Sequence, residues 1–334
     1  MRDLYLIGLG QISAAGQGMG ALRRALSGET RIHPTFANVE TASGSVRLPV
    51  YQAPEAELPG GLPESIKRRM ARISRMCFVS LDEAMHDAFG PQLEEIRQTP
   101  ARIGLVVGSA MGCLELANQY QKRVIFEGAA GASPSLFASS IHNSLAAHLS
   151  ISFGIQGPTS TVATMEQTAA GAFGLAANWL EQGHLDHVAV VIGEEVSDYH
   201  RYFLAHTAGA QAGGVDPESD ACTSAPGEGF ASFVFSRRQV GAYARLMEVS
   251  MHRTSPPDCS RYFAAVHGAE GQWSGMRAWL AGKPAESHLK LFGSTLCSLA
   301  FEVLCASVEL HSSAAIACVQ LTDDGGQSVT LSKS

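Results

Sequence analysis

Two short runs of apolar residues constrain the fold of this chain more than any other feature. Residues 103–108 and 187–192 are almost continuously apolar, a pattern typical of a strand in the middle of a sheet covered on both faces. Between them, residues 167–181 have the composition of a helix, with many small side chains that permit close backbone packing. Strands that alternate with helices in this way predict an α/β protein.

Other elements follow from the spacing of apolar residues. The spacing predicts a short helix over 19–26, an amphipathic helix that starts at Pro63 and continues to residue 88, and a buried helix over 296–310. Residues 315–321 and 328–331 are predicted to pair as a hairpin, because the aspartates and glycines at 323–326 favour a tight turn.

Composition narrows the classes of function. The net charge of -7 argues against nucleic acid and anionic membranes as partners, and no apolar run is long enough for a membrane span. The seven cysteines are scattered without a Cys-x-x-Cys pair, so we expect reduced thiols, a cytoplasmic location, and no cofactor or metal. Charged residues make up 16% of the chain, below the roughly 25% of an average domain, which favours burial of some surface against another subunit.

The segment from Gly157 to Thr168 (GPTSTVATMEQT) leads a short strand into the helix rich in small residues. It resembles the active-site segment of β-ketoacyl synthases, in which Gly-Pro leads through a strand to a Thr-Ala-Cys-Ser-Ser-like turn. In this match Thr164 takes the place of the family threonine, Met165 that of the alanine, and Glu166 that of the nucleophilic cysteine.

Further landmarks of the same family follow in the family's order. They are GLG at 8–10 with SAAG at 13–16, RIGLVVGSAMG at 102–112, SPSLF at 133–137 with Asn143, FGIQGP at 153–158, and PGEGFA at 226–231. Each is weak alone, but their order is strong evidence for the fold. The resemblance implies a thiolase-like ketosynthase fold of duplicated αβαβα layers, with an N-terminal half over 1–237 and a shortened C-terminal half over 238–334.

The resemblance also implies that the catalytic set is degenerate. A condensing enzyme needs a thiolate, which the helix N-terminus stabilises, and a carboxylate there does not accept an acyl chain as a stable thioester. The favoured interpretation of Glu166 is that it caps its helix. His267 lies in a segment that resembles the family's first histidine motif, whereas Ser294 stands where the second motif has its histidine.

Other cysteines are weaker candidates for the missing nucleophile. Cys113 follows the strand at 103–108 but is not clearly at a helix N-terminus, and buried structural thiols are commoner than reactive ones. Cys297 and Cys305 lie on one side of the last helix and are predicted to be core residues.

Relatives that lack the cysteine include chain length factors, which pair with an active ketosynthase and shape its acyl tunnel. The resemblance therefore implies a non-condensing subunit of a β-ketoacyl synthase complex for polyketide, aryl polyene or specialised fatty-acid synthesis. Its tunnel or interface candidates are Met111, Phe137, Asn143 and Met165. The acidic balance suggests that acyl carrier protein docks mainly on the partner. Two alternatives stay open: a decarboxylase of malonyl-carrier-protein, which would need both histidines, and a homodimeric acyl-binding scaffold.

Overall fold

The computed structural model describes residues 3–42, 44–68, 70–207, 225–265, 270–310, 314–322 and 325–334. Its strands are numbered in chain order: β1 Leu4–Ser13, β2 Gly16–Gln17, β3 Thr35–Thr41, β4 Gly44–Val50, β5 Ile103–Gly108, β6 Thr159–Val162, β7 His187–Glu194, β8 Gly229–Ser236, β9 Ala244–Arg253, β10 Arg261–Ala265, β11 Ala285–Glu286, β12 Ala315–Thr322 and β13 Gly325–Ser332.

The α-helices are α1 Met19–Leu26, α2 Glu64–Lys67, α3 Arg72–Phe89, α4 Leu93–Arg97, α5 Leu114–Glu127, α6 Pro134–Ser140, α7 Ser144–Phe153, α8 Thr168–Glu181, α9 Asp198–Thr207, α10 Glu270–Trp279, α11 Leu289–Phe292 and α12 Ser298–Glu309. The strand predicted at 103–108 and the helix predicted over 19–26 are confirmed to the residue.

Within the described ranges, eleven strands form one mixed sheet in the order β11-β10-β12-β13-β9-β1-β8-β7-β5-β6, with β2 paired to β1. Strand β5 runs parallel to both β6 and β7, as a helix between buried strands predicts. The predicted hairpin is confirmed, since β12 and β13 pair antiparallel from Ala315↔Ser332 to Thr322↔Gly325. Strands β3 and β4 form a separate two-stranded sheet.

Helices α8 and α12 each pack against strands from both halves of the large sheet. Helix α8 contacts β5 and β7 but also β9 and β13, and α12 contacts β10 and β12 but also β7 and β8. The main hydrophobic cluster accordingly joins both helices to strands of both ends of the sheet. A second cluster, built mainly from α3, α7 and the opposite face of β5, β7 and β8, covers the other side. This layered α/β arrangement confirms the predicted fold class.

Close packing explains the glycines of β1. A Cβ atom on Gly8 would lie 2.3 Å from the main-chain oxygen of Ala84, and one on Gly10 would lie 2.1 Å from that of Ser80. Both oxygens belong to α3, so the two glycines allow this helix to sit directly on the strand. The Gly-x-Gly pattern serves packing here.

One helix prediction is wrong. The helix expected from Pro63 to residue 88 is divided into α2 and α3, and Ile66, which the apolar spacing of one continuous helix would bury, is 40% exposed. The guanidinium of Arg75 donates hydrogen bonds to the main-chain oxygens of Lys67 and Met70, and Ala71 has an extended backbone. These carbonyl groups therefore find a side-chain partner instead of the next helical turn.

Candidate functional site

The segment between β6 and α8 forms a tight elbow. Met165 has φ 51°, in the left-handed region that non-glycine residues rarely adopt. A 3-10 turn spans Met165–Gln167, and the main-chain N–H of Thr164 donates to the hydroxyl of Thr168 at 2.9 Å. The sequence match located this elbow, and the strained conformation of Met165 marks it as a special position of the backbone.

Glu166 occupies the elbow one residue before the N-cap of α8. The N-cap itself is Gln167, which makes no side-chain capping bond, so Glu166 is not the cap that the sequence suggested. The Glu166 side chain is half-buried, and its carboxylate has no hydrogen-bond partner among the described residues. Its main-chain oxygen instead accepts a 2.8 Å hydrogen bond from Nε2 of Gln327 on β13.

Gln327 links the elbow to the hairpin of β12 and β13. It is fully buried, and its Oε1 atom has no partner among the described residues. Its Cα partner across the hairpin is another buried glutamine, Gln320. Gln327 could not be recognised from sequence, because its partner lies 161 residues away.

Ser294 lies just after α11, beside the loop that leads into β8. Its main-chain N–H donates to the oxygen of Ala225 at 2.7 Å, and its main-chain oxygen accepts from Gly227 at 3.0 Å. The Gly-Glu-Gly segment is thus joined to the segment that resembles the second histidine motif. His267, the remaining predicted position, lies outside the described residues.

Glu228, within the Gly-Glu-Gly segment, is a buried structural ion. Its carboxylate forms a bidentate pair with Arg72, at 2.7 and 2.9 Å, and accepts from the main-chain N–H groups of Ala53 and Val196. Burial by itself would lower the pKa of Arg72, but the hydrogen bonds and charge of Glu228 raise it. These contacts explain why the segment contains a glutamate at position 228, which motif matching alone does not explain.

Two adjacent glutamates end β7 and are not recognisable as special from sequence. Glu194 is 2% exposed and accepts hydrogen bonds from the turn that follows β5 and from Cys297. Burial raises its pKa to about 7, although these hydrogen bonds oppose the shift. Burial also raises the pKa of Glu195 to about 7, against the opposing effect of Arg72.

The predicted tunnel or interface residues lie on connected elements. Met111 is half-buried in the turn between β5 and α5, Phe137 on α6 is 53% exposed, and Asn143 is the exposed N-cap of α7. Gly112 follows Met111 and His142 precedes Asn143, and these two residues lie close together. A Cβ atom on Gly112 would lie 2.7 Å from the ring of His142. Met165, on the elbow, is 52% exposed.

The described cysteines do not offer a second nucleophile. Cys113 is the N-cap of α5, so it does lie at a helix N-terminus, contrary to expectation. It is nevertheless buried beside the Ser144 hydroxyl at 3.3 Å, and burial raises its pKa. Cys297 and Cys305 are buried core residues, as predicted.

Two kinds of feature are absent from the described part of the chain. No helix there is long and apolar enough to cross a membrane. No group of three or more His, Cys, Asp or Glu side chains in the same ranges is arranged to hold a metal ion.

Comparison with known proteins identifies the family. Residues 35–236 match the family model described as the β-ketoacyl synthase N-terminal domain. Since the match covers more than half of the sequence, the chain belongs to the β-ketoacyl synthase family.

Curated relatives share limited identity with this chain. A 3-oxoacyl-[acyl-carrier-protein] synthase 2 of Vibrio cholerae is 33% identical over 105 residues, which are 31% of this chain and 25% of the relative. The enzyme of the same name from Staphylococcus aureus strain COL is 25% identical over 186 residues, 55% of this chain and 44% of the relative. The chain thus spans less than half the length of the curated relatives it matches.

Solved structures share the fold over the whole chain. The ishigamide ketosynthase/chain length factor superposes with a TM-score of 0.74 at 18% identity, covering 98% of both chains. The complex of the ketosynthase ApeO with its chain length factor ApeC from Xenorhabdus doucetiae gives 0.72 at 14% identity, covering 100% of this chain and 98% of that one. At these identities the likeness establishes the thiolase-like ketosynthase fold.

Proposed function

We propose that this chain is a non-condensing subunit of the chain-length-factor type, which pairs with an active ketosynthase and shapes its acyl tunnel. The observation that carries the proposal is the elbow at the start of α8, which contains Glu166 at the position that the sequence match gives to the nucleophilic cysteine. Condensation begins with transfer of the acyl chain to a thiolate, and a carboxylate does not hold that chain as a stable thioester. The chain has the elbow before α8, but the carboxylate of Glu166 does not suit transfer of an acyl chain.

The other thiols support this proposal. Of the six cysteines within the described ranges, five are buried and Cys259 is half-buried. Burial raises the pKa of all six, which keeps them protonated near neutral pH. A reactive cysteine needs an exposed position and a lowered pKa, so none of these six is a replacement for the missing nucleophile.

Exposed apolar side chains and the edge strand β6 support the proposal that this chain binds a partner subunit. Among the described strands, β6 pairs only with β5 and so forms one edge of the sheet. Large exposed apolar side chains lie on the three helices that precede it and on the C-cap of α6, namely Val124, Ile125 and Phe126 on α5, Phe137 on α6, Ile141 at its C-cap, and Ile151 on α7. Ile125, Phe126 and Ile151 are more than 70% exposed, and α7, which carries Ile151, contacts β6. Exposed apolar side chains and an open sheet edge are both typical of subunit interfaces.

Docking of the acyl carrier protein is assigned mainly to the partner subunit. Basic residues cluster at 67–75, and those that the structure describes there bind other groups of this chain. Lys67 and Arg68 contact Glu64, Arg72 pairs with Glu228, and Arg75 donates to main-chain oxygens. With a net charge of -7, this subunit is electrostatically unsuited to attract an acidic carrier.

The test is the native mass of this chain co-expressed with an active ketosynthase from the same genomic neighbourhood. A one-to-one complex, with this chain unstable alone, is the expected result. Phe126→Asp or Ile151→Asp should prevent the complex, whereas Val240→Asp, at an 85% exposed site on the loop after β8, should not. A stable homodimer that ignores the ketosynthase would contradict the proposal and favour the acyl-binding scaffold.

A further inference from the structure

A single buried carboxylate organises the turn that contains Met111. Glu194 lies at the end of β7, and its two oxygens face the turn over 109–112 that connects β5 to α5. Ala110 N–H donates to Oε1 at 2.5 Å, Met111 N–H donates to Oε2 at 3.2 Å, and the Ser109 hydroxyl donates to Oε2 at 3.0 Å. The Ser109 oxygen in turn accepts from Gly112 N–H at 3.0 Å. Every residue of the turn is therefore tied to this one side chain, directly or through Ser109.

The same carboxylate reaches the other end of the site. The thiol of Cys297 donates to its Oε1 at 3.3 Å, and Cys297 is the N-cap of α12, three residues after Ser294. Glu194 thus joins the β5–α5 turn to the segment that resembles the second histidine motif. Both ends of this connection are buried, since Glu194 is 2% exposed and Cys297 is fully buried.

The absence of a counter-ion makes this arrangement unusual. No cationic side chain in the described ranges forms an ion pair with Glu194, whereas Glu228 nearby has Arg72. Burial without a positive partner disfavours the ionised carboxylate, and burial raises the pKa of Glu194 to about 7. A packed apolar side chain of similar size would avoid this cost, so the carboxylate is explained by the hydrogen bonds that it accepts.

We propose that Glu194 is a positioning residue that fixes Met111 and thereby sets the length of acyl chain that the tunnel accepts. The inference rests on the proposed tunnel-shaping function. Because the Met111 main chain is held by its own N–H and by those of its two neighbours, the direction in which its half-buried side chain leaves the main chain is fixed. Releasing the turn changes where that side chain lies without changing its identity.

The test uses the complex with the active ketosynthase and measures the distribution of product chain lengths. Met111→Ala should shift the distribution. Glu194→Met, which keeps the volume but removes the acceptors, should shift or broaden it as well. Glu194→Gln keeps a carbonyl acceptor for Ala110 N–H but replaces the oxygen that accepts from Met111 N–H with an amide donor, so it should shift the distribution less than Glu194→Met does. Glu302→Gln is the matched control, because Glu302 is also 2% exposed but bonds to Ser287 and His288 instead of the turn.

Amide hydrogen exchange in the same complexes measures the turn directly. Exchange at Ala110 and Met111 should be at least tenfold faster in Glu194→Met than in the wild type and unchanged in Glu302→Gln. Unchanged exchange, or wild-type products from Glu194→Met when Met111→Ala shifts them, would overturn the inference and leave the proposed function standing. If Met111→Ala itself leaves the products unchanged, the tunnel function fails, and the specificity role of Glu194 with it.

Discussion

The side-chain amide of Gln327 donates a 2.8 Å hydrogen bond to the main-chain oxygen of Glu166. The bond joins strand β13 to the elbow at the start of α8, so two segments far apart in sequence define one site. It holds the main chain of Glu166 and leaves the carboxylate uninvolved. The backbone geometry of the elbow and the chemistry of its side chain can therefore be varied separately.

Replacing Glu166 with cysteine should restore a reactive thiol but not condensation. The new thiol lies one residue before the N-cap of a 14-residue helix, where the helix dipole favours the thiolate. Iodoacetamide should therefore label Glu166→Cys at a lower pH than Val240→Cys, an exposed control away from any helix start. Condensation of malonyl-carrier-protein should stay undetectable, because the sequence match gives Ser294 the position of the second histidine, and a serine cannot take over the role of that imidazole. Turnover by Glu166→Cys alone would contradict the non-condensing assignment.

Replacing Glu194 with glutamine should flatten the dependence of stability on pH. A carboxyl whose pKa is raised in the folded state stabilises the fold fully below its unfolded value, and this contribution is lost as pH rises through the folded value of about 7. The wild-type free energy of unfolding should thus fall between about pH 4.5 and 7.5, with Glu194 contributing on the order of 3 kcal/mol.

Urea unfolding at several pH values checks this expectation. Glu195 also has its pKa raised to about 7, so Glu194→Gln should keep part of the slope and the double variant with Glu195→Gln should lose most of it. The titratable groups that affect or face these two carboxyls are Cys297, Cys77, Cys113, Glu115, Glu228, Arg72 and Arg201. An unchanged slope in the double variant would mean that neither carboxyl titrates in this range.

The elbow should tolerate glycine better than a β-branched residue at position 165. Met165 has φ 51°, and a β-branched side chain is strongly disfavoured there. Met165→Val should lower the free energy of unfolding by about 1–2 kcal/mol, whereas Met165→Gly should be neutral or stabilising by up to about 1 kcal/mol. Met247→Val is the control, since Met247 is 41% exposed on the extended strand β9. Equal effects of valine at both positions would show that the elbow is relaxed in solution.

Removing Arg72 should be far more damaging than removing both members of its ion pair. Glu228 is fully buried in its side chain, so Arg72→Met leaves an uncompensated charge and should cost about 3–5 kcal/mol of unfolding free energy. The double variant Arg72→Met with Glu228→Gln should recover much of that loss, because the buried charge is gone. Chemical denaturation of the single and double variants measures the coupling. Strictly additive losses would contradict a direct interaction.

The sequence predicted elements that depend on local patterns and missed contacts that depend on the whole fold. Strand β5 and helix α1 follow from apolar spacing within a few residues, and the elbow follows from a contiguous motif. Glu194 and Gln327 are different, because they bond to Met111 and Glu166, which lie 83 and 161 residues away. No local pattern marks a buried carboxylate or amide of this kind. The sequence also did not predict the break between α2 and α3, because this break depends on hydrogen bonds from the Arg75 side chain to the main-chain oxygens of Lys67 and Met70.

Strand β1 has a consequence for how the protein is made. It spans Leu4–Ser13, yet it lies in the interior of the sheet between β8, which starts at Gly229, and β9, which starts at Ala244. The edges of β1 therefore lack the strands that pair with them until residues 229–253 have been synthesised. Such long-range pairing slows folding and leaves nascent chains open to aggregation, so the yield of this protein should respond to translation speed and to chaperones.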